Sequence, residues 1–167
     1  MAFSPKSIAQ RERVWSTATV LVRLALAAGF LSAVADRFGW WGAPHTGTVA
    51  WGNFAAYTAY TQTLTPYLTG ALLDAAAWVA TVAELVLGLM LLAGLLLRWT
   101  AWAASAVLLV FGLSMALFLG WEAPLSASVF AAAAAALLLA LSPVSSFAFS
   151  FDRLFDRTRN DRLEPQR

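Results

Sequence analysis

Long apolar runs alternate with short polar segments along this chain. Four runs stand out, at about residues 14–34, 72–97, 101–119 and 127–147. A helix rises about 1.5 Å per residue, so each run is long enough to cross a hydrocarbon core of about 30 Å. The pattern predicts an all-α integral membrane protein, a four-helix bundle whose single four-span membrane domain covers residues 1–150.

The longest segment between two runs, residues 36–70, carries its own helical pattern. Trp51, Phe54, Tyr57 and Leu64 fall near one face at helical spacing. An amphipathic segment of this kind predicts a short interfacial helix in the outer loop between spans one and two. It would serve either as an anchor or as a lid over a cavity between the spans. Thr65–Pro66 predicts the start of the second long helix, with threonine as its cap.

Composition strengthens the membrane assignment and removes several kinds of chemistry. The chain is 60% hydrophobic and only 12% charged, whereas soluble domains are about 25% charged. It has no cysteine and one histidine, which excludes disulfides, thiol chemistry, iron–sulfur ligation and a multi-histidine metal site. We therefore predict no metal site. No GxSxG, P-loop, GxGxxG or HExxH pattern is present.

The basic residues predict the orientation. In a four-span arrangement, nine of the eleven fall on one side of the membrane: Lys6, Arg11, Arg13, Arg98, Arg153, Arg157, Arg159, Arg162 and Arg167. The positive-inside rule then places both termini in the cytoplasm of a cell with this protein in its inner membrane. Residues 151–167 form a charged cytoplasmic tail with interspersed acids, which favours contact with anionic lipid and argues against a nucleic-acid partner.

Two charges lie within the apolar runs. Glu84 lies near the centre of the second run, on a face with Thr81 and Gly88, and Arg23 lies in the first. Small residues mark the packed face of a membrane helix, so we expect Glu84 to face the bundle interior. Because an unpaired charge there costs about 2.5–3.5 kcal/mol, we predict an Arg23–Glu84 ion pair. The pair would either fix the helix register or line a polar pocket for a ligand or for proton transfer.

Further candidates flank this predicted pocket. Asp36 and Arg37 at the outer end of span one either anchor and cap the helix or line the outer mouth of the cavity with His45 and Asn53. Trp78 is also a pocket candidate, because it lies well within a span while the other tryptophans fall near the membrane surfaces where indole rings are enriched.

Two stretches carry a resemblance to a known family. "RLALAAGFLSAVADRFGWWG" (residues 23–42) and "AELVLGLMLLAGLLLRWTAW" (residues 83–102) resemble the DoxX family, and with the spacing of the spans the resemblance covers most of residues 15–147. The second stretch has that family's order of an acid, glycine-spaced leucines, an arginine and small residues. The family's recurrent arginine in the first span and acid in the second fall on Arg23 and Glu84.

The resemblance implies a four-helix membrane fold, usually bacterial or archaeal. It also implies a membrane subunit of a quinone-linked redox system, because named relatives are linked to thiosulfate:quinone oxidoreductase and to membrane complexes for oxidative stress. Without a thiol, any redox role here needs a quinone or a soluble or membrane redox partner, and no covalently bound cofactor is expected. Two alternatives stay open, namely a transporter or binding protein for lipid or another lipophilic small molecule, and a membrane scaffold without catalysis.

Overall fold

All regular secondary structure in the described part of the chain is helical. A computed structural model describes residues 5–44, 46–148 and 150. Its elements are α1 (Pro5–Arg37), α2 (Phe54–Leu64), α3 (Ala71–Ala93), α4 (Leu97–Phe118), α5 (Glu122–Ser126), α6 (Val129–Leu141) and a 3₁₀ turn at Val144–Ser146. No strand occurs among these residues, which confirms the all-α prediction. The predicted cytoplasmic tail, residues 151–167, lies outside the described residues.

Among the described residues, three helices have the length and composition of membrane spans. They cover Arg13–Arg37, Ala71–Ala93 and Leu97–Phe118, with 25, 23 and 22 residues. One face of α3 exposes large apolar side chains, as expected for a helix that contacts acyl chains on one side. Its residues are Val79, Val82, Leu85, Val86 and Leu89. The first three predicted runs are therefore confirmed as long apolar helices of a membrane-embedded type of fold.

The fourth run is not one continuous helix. α6 has 13 residues, or about 20 Å of helix, which is shorter than a hydrocarbon core of about 30 Å. Ser128 has φ 55°, in the left-handed region, and separates α6 from α5. Ser142 has ψ 148° because it precedes Pro143, and a residue before proline is driven out of the helical region. The predicted continuous helix over residues 127–147 is therefore wrong.

Two predicted helix boundaries also move. The second run was expected to stay helical to Leu97, but α3 ends at Ala93 because Gly94 takes a left-handed conformation, with φ 69°, and its N–H bonds back to Met90. Thr65–Pro66 does not start a helix. Thr65 instead ends α2, its N–H bonding to the carbonyls of Thr61 and Gln62, and α3 starts at Ala71.

Helices α1 and α3 pack antiparallel and are staggered. A Cβ at Gly88 would lie 2.9 Å from the Leu31 side chain, and a Cβ at Gly94 would lie 2.8 Å from Nη1 of Arg23. On the same register the end of α1 at Arg37 lies beside Thr81, to which it is hydrogen-bonded. Because α3 begins ten residues before Thr81, about 15 Å of α3 extends beyond the end of α1.

Helix α2 packs beside the part of α3 that α1 does not reach. The Phe54 ring, at the first residue of α2, stacks on Trp78 of α3 with centroids 4.4 Å apart. Tyr67, three residues after α2, contacts Phe118 at the last residue of α4 with centroids 6.2 Å apart. The segment between α1 and α3 therefore covers the end of α1.

Helices α4 and α6 form the other half of the bundle. Gly112 of α4 faces the Phe130 ring, and Ser105 donates a 3.0 Å hydrogen bond to the carbonyl of Ala133. Small residues at this contact allow close backbone approach. The apolar core lies between α1, α3, α4 and α6. Its residues in these helices are Leu26, Ala27, Phe30, Leu87, Leu91, Leu97, Ala101, Ala104, Ala136, Leu139 and Ala140.

Candidate functional site

An ion pair lies inside the bundle where α1 ends. Nη2 of Arg37 donates to Oε1 of Glu84 across 2.6 Å, and the two side chains are 2% and 4% exposed. Nη1 of the same guanidinium donates to Oγ1 of Thr81 across 2.9 Å. The prediction that Glu84 faces the bundle interior with Thr81 and Gly88 is confirmed.

Thr81 holds its acceptor position through the backbone of α3. Its hydroxyl donates to the carbonyl of Ala77 across 2.8 Å, a bond typical of threonine inside helices. That bond uses the hydroxyl proton, so the oxygen lone pairs are free to accept from Arg37. The guanidinium is thus held by two residues one turn apart on α3.

Arg23 is not the partner of Glu84. It is buried, at 4% exposure, and its Nη1 donates to the carbonyl of Ala148 across 3.3 Å. Arg37 comes fourteen residues after Arg23 on α1, about 21 Å along the helix. The predicted Arg23–Glu84 pair is wrong because the stagger of α1 against α3 brings the end of α1, not its middle, to the depth of Glu84.

Two aromatic rings cover the guanidinium on the α2 side. Cζ of Arg37 lies 3.7 Å from the centroid of the Tyr57 ring and 5.4 Å from that of Trp51. The two rings contact each other edge-to-face at 5.1 Å. A cation over an aromatic face gains about 2 kcal/mol or more when desolvated. Tyr57 and Trp51 therefore compensate part of the cost of burying Arg37.

Asp36 fixes the loop that carries Trp51. Its Oδ2 accepts the N–H groups of Ala50 and Trp51 at 3.2 and 2.9 Å, and its Oδ1 accepts that of Gly52 at 3.3 Å. Gly52 has φ +67°, and a Cβ there would lie 2.5 Å from the backbone of Pro44. Only glycine fits this turn without strain, so the loop is folded closely onto the end of α1.

The other sequence candidates have separate places. Asn53 caps α2, its side-chain oxygen accepting the N–H of Ala56 at 2.8 Å, and among the described residues it makes no hydrogen bond to Arg37 or Glu84. His45 lies outside the described residues. Trp78 is half exposed and stacks on Phe54, one turn of α3 before Thr81. The structure thus brings Arg37 and Glu84 together, with Asp36 next to Arg37 in the chain, and leaves Arg23 about 21 Å away along α1.

Sequence reasoning did not assign Trp51, Tyr57 and Thr81 to the site. Trp51 and Tyr57 belonged to the aromatic stripe of residues 51–64, which the spacing predicted to be either an interfacial anchor or a lid over a cavity, without a contact to a named residue. Thr81 was recognised on the face of Glu84 but without a role. The signal that could have identified Thr81 is its spacing, since it lies three residues before the buried acid on the same helical face.

The buried pair keeps unused hydrogen-bonding capacity. Nε of Arg37 is buried and has no hydrogen-bond partner among the described residues. Glu84 accepts only the bond from Arg37 within that part of the chain, and it does so through Oε1. Buried donors in proteins are almost always satisfied by protein, water or ligand. A polar acceptor bound beside Nε of Arg37 would satisfy this donor.

The ion pair is formally neutral, because the positive charge of Arg37 meets the negative charge of Glu84. No group of three histidine, cysteine, aspartate or glutamate side chains that could hold a metal ion occurs among the described residues. The arrangement offers hydrogen bonds and aromatic faces from the chain's own side chains.

Comparisons with known proteins gave no match: no protein-family model, no curated protein and no solved structure matches the chain. The resemblance to the DoxX family stays a prediction from the two quoted stretches.

Proposed function

We propose that the chain is an integral membrane protein of the DoxX type with four crossings and both termini in the cytoplasm. The support for a fourth crossing is the course of the chain around α6. Phe130 near its start packs on Gly112 toward the outer part of α4, and Ser146 after its end accepts a 2.8 Å hydrogen bond from Thr19 of α1. α6 and the 3₁₀ turn together would then cross the membrane, with α2 close to the outer surface.

We further propose that the protein is the membrane subunit of a quinone-linked redox system and binds a lipophilic molecule at the Arg37–Glu84 pair. The observation that carries this proposal is the buried guanidinium with an unsatisfied Nε. An ionisable group inside a membrane protein is expensive and is a functional-site hypothesis by default. A quinone carbonyl would supply the missing acceptor, and Trp51 and Tyr57 would supply apolar ring surface beside it.

One observation favours a second candidate, a membrane scaffold in which the pair only fixes helix register. The 2.6 Å contact and the near-complete burial of both side chains are what a purely structural cross-link between α1 and α3 would show. The two candidates differ in what happens when Glu84 keeps its shape and loses its charge. If the protein is a scaffold, this substitution either unfolds it or has no effect. If the pair is a binding site, the substituted protein stays folded and no longer binds its ligand.

The experiment compares wild type, Glu84→Gln and Glu122→Gln, purified in detergent and reconstituted in nanodiscs. Glu122 is an exposed acid in the first turn of α5 and serves as the matched control. Copurified quinone is measured by mass spectrometry, and binding of a short-chain ubiquinone analogue by equilibrium dialysis against empty nanodiscs. We expect wild type and Glu122→Gln to bind, and Glu84→Gln to stay folded and bind at least about tenfold more weakly.

Folded wild-type protein that binds no quinone, or Glu84→Gln that binds as wild type does, contradicts the binding proposal and favours the scaffold. The redox part is tested separately by quinone reduction in membranes that contain wild type or Glu84→Gln. Equal rates in both membranes contradict a role of this pair in electron transfer to quinone.

A further inference from the structure

Arg23 lies where three segments of the chain meet. Its side chain is 4% exposed and belongs to the first membrane span. A Cβ at Gly94, directly after the end of α3, would lie 2.8 Å from Nη1 of Arg23 and 2.9 Å from Cα of Ser150. The guanidinium is therefore in contact with α1, the end of α3 and the segment that follows α6.

The segment that follows α6 is fixed against α1. The carbonyl of Ser146 accepts a 2.8 Å hydrogen bond from Thr19, and the carbonyl of Ala148 accepts a 3.3 Å hydrogen bond from Nη1 of Arg23. Phe147, between these two residues, is 3% exposed and belongs to the apolar core. The chain is thus held against α1 up to the last residues of the described part.

A cation that is buried as deeply as Arg23 favours a carboxylate nearby. Arginine is almost never fully buried without a paired charge, because an isolated ion is costly to remove from water. The sequence pattern assigned Glu84 to this role, but Glu84 is bonded to Arg37. A guanidinium has five N–H donors in a planar fork, so it can bind a carboxylate as well as the Ala148 carbonyl.

The chain supplies an acid at the right distance. Asp152, which lies outside the described residues, is the first acid after the segment that packs on α1. It comes two residues after Ser150, and two residues span at most about 7 Å. Because Ser150 lies beside Arg23, the Asp152 carboxylate is within reach of the guanidinium. The next acid, Asp156, is four residues further along the chain.

We propose that Arg23 is the docking site for the start of the charged tail, and that the carboxylate of Asp152 is the group that binds it. The pair neutralises the buried cation and holds residues 151–153 at the junction of α1 and α3. The docked tail covers the end of the bundle at which α3 and α6 end. This inference does not depend on the ligand proposed for the Arg37–Glu84 pair.

The test measures where trypsin cuts the tail of the folded protein in nanodiscs of zwitterionic lipid. The tail repeats Phe-Asp-Arg at residues 151–153 and 155–157, so trypsin meets the same three residues before the bonds that follow Arg153 and Arg157. Intact-mass spectrometry gives the two cleavage rates. A protease cuts a docked segment only while it is released, so the rate reports the released population.

Arg23→Gln removes the docking charge without changing the tail, and Asp152→Asn removes its partner. Each should speed cleavage after Arg153 about tenfold or more relative to cleavage after Arg157, because loss of a buried ion pair favours the released state. The double variant should be cut no faster than the faster single variant.

The matched control is Asp156→Asn, which should leave cleavage after Arg153 unchanged. It makes the same change before Arg157 that Asp152→Asn makes before Arg153. Cleavage after Arg157 in this variant therefore measures how far the loss of the acid alone changes the action of trypsin.

A folded Arg23→Gln protein with an unchanged rate after Arg153 overturns the docking site. If Arg23→Gln raises that rate but Asp152→Asn raises it no more than the control effect, Asp152 is not the partner. If circular dichroism shows that Arg23→Gln does not fold, Asp152→Asn decides alone. An increase no larger than the control effect then overturns the proposal, and an increase of about tenfold or more supports it.

Discussion

Arg37, the last residue of α1, and Glu84, the fourteenth residue of α3, form a buried ion pair at 2.6 Å. Each charge alone would be costly at this depth, since a buried charge without a partner destabilises a protein by several kcal/mol. Together they join the end of α1 to the middle of α3, which extends beyond the end of α1. The pair therefore ties the α1–loop–α2 segment to α3.

The first prediction concerns the coupling of these two charges. Arg37→Met and Glu84→Leu should each lower the free energy of unfolding by about 3–5 kcal/mol, because each leaves the other charge buried and unpaired. The double variant should lose much less than the two single losses added together. The free energy of unfolding of wild type, the two single variants and the double variant is measured in mixed micelles by circular dichroism.

The control for this cycle is Arg98→Met with Glu122→Leu, which changes the same residue types at two exposed positions. These substitutions should each stay within about 0.5 kcal/mol of wild type. Strictly additive losses for Arg37 and Glu84 would mean that the two charges do not depend on each other for their burial.

The second prediction concerns the loop clamp of Asp36. Asp36→Asn removes the charge from a side chain that accepts three backbone N–H groups, and a hydrogen bond to a charged group is worth about 1.5–3 kcal/mol. The loop should detach more often from the end of α1. Hydrogen exchange of the amides of residues 50–52 should become faster, and Asp74→Asn, at an exposed acid of α3, should leave it unchanged. Equal exchange in the two variants would contradict the clamp.

The third prediction compares two glycines in long helices. A Cβ at Gly88 of α3 would lie 2.9 Å from the Leu31 side chain, whereas a Cβ at Gly29 of α1 would meet nothing within 4 Å. Gly88→Ala should cost about 1–3 kcal/mol, because the Leu31 side chain must leave its present position or α1 must move away from α3. Gly29→Ala should be neutral or up to about 1 kcal/mol more stable, because alanine favours the helix. Thermal unfolding separates them, and similar midpoints would contradict the close α1–α3 contact.

Sequence pattern located the right faces but not the right depths. The buried position of Glu84 followed from the small residues on its helical face, and the structure confirms it. The partner of Glu84 did not follow, because hydropathy sets which residues are apolar and leaves the sliding of one helix along another undetermined. That stagger depends on contacts such as Gly88 with Leu31.

The loop was the least predictable part of the site. The sequence left Asp36 either as an anchor and cap of the helix or as part of the mouth of a cavity, and only the folded turn at Gly52 brings three N–H groups to its carboxylate. The aromatic spacing around Tyr57 predicted a helix there, and α2 is a helix. Spacing alone does not distinguish a stripe that faces lipid from one that faces an arginine.

The fourth prediction is a dependence of stability on alkaline pH. Burial raises the pKa of the Tyr57 phenol above its ordinary value of 10.0, and the nearby Arg37 charge lowers it by less. Because the unfolded chain ionises first, the stability contributed by the neutral phenol is present below pH 10 and is lost as pH rises from there through the folded pKa. Tyr57→Phe should therefore lose less stability above about pH 10 than wild type does.

The measurement is the thermal midpoint from about pH 9 to pH 11, which brackets the unfolded pKa. Tyr60, whose pKa burial also raises, keeps part of the slope in the variant. Tyr67→Phe is the control, because the Tyr67 side chain is 72% exposed, and its profile should follow wild type. A Tyr57→Phe profile identical to wild type would show that the phenol is hydrated in the folded protein.

The last prediction concerns the number of crossings. The chain has no cysteine, so single cysteines can be introduced without background at Thr48 and Ser126, which are both exposed, and at Thr158 in the tail. Four crossings with both termini in the cytoplasm predict that a membrane-impermeant maleimide labels positions 48 and 126 in intact cells. Position 158 should react only after the membrane is permeabilised.

Three crossings give a different pattern, because position 158 would then lie on the same side as position 126. Labelling of both in intact cells would show that α6, with its 13 residues, does not cross. In that case Ser146 would lie on the outer side of the membrane. Its hydrogen bond with Thr19, which lies in the inner half of α1 in this arrangement, would then be difficult to form. The four-crossing arrangement avoids this conflict. In it α6 runs back along α4 toward the inner side and so brings Ser146 to the inner part of α1.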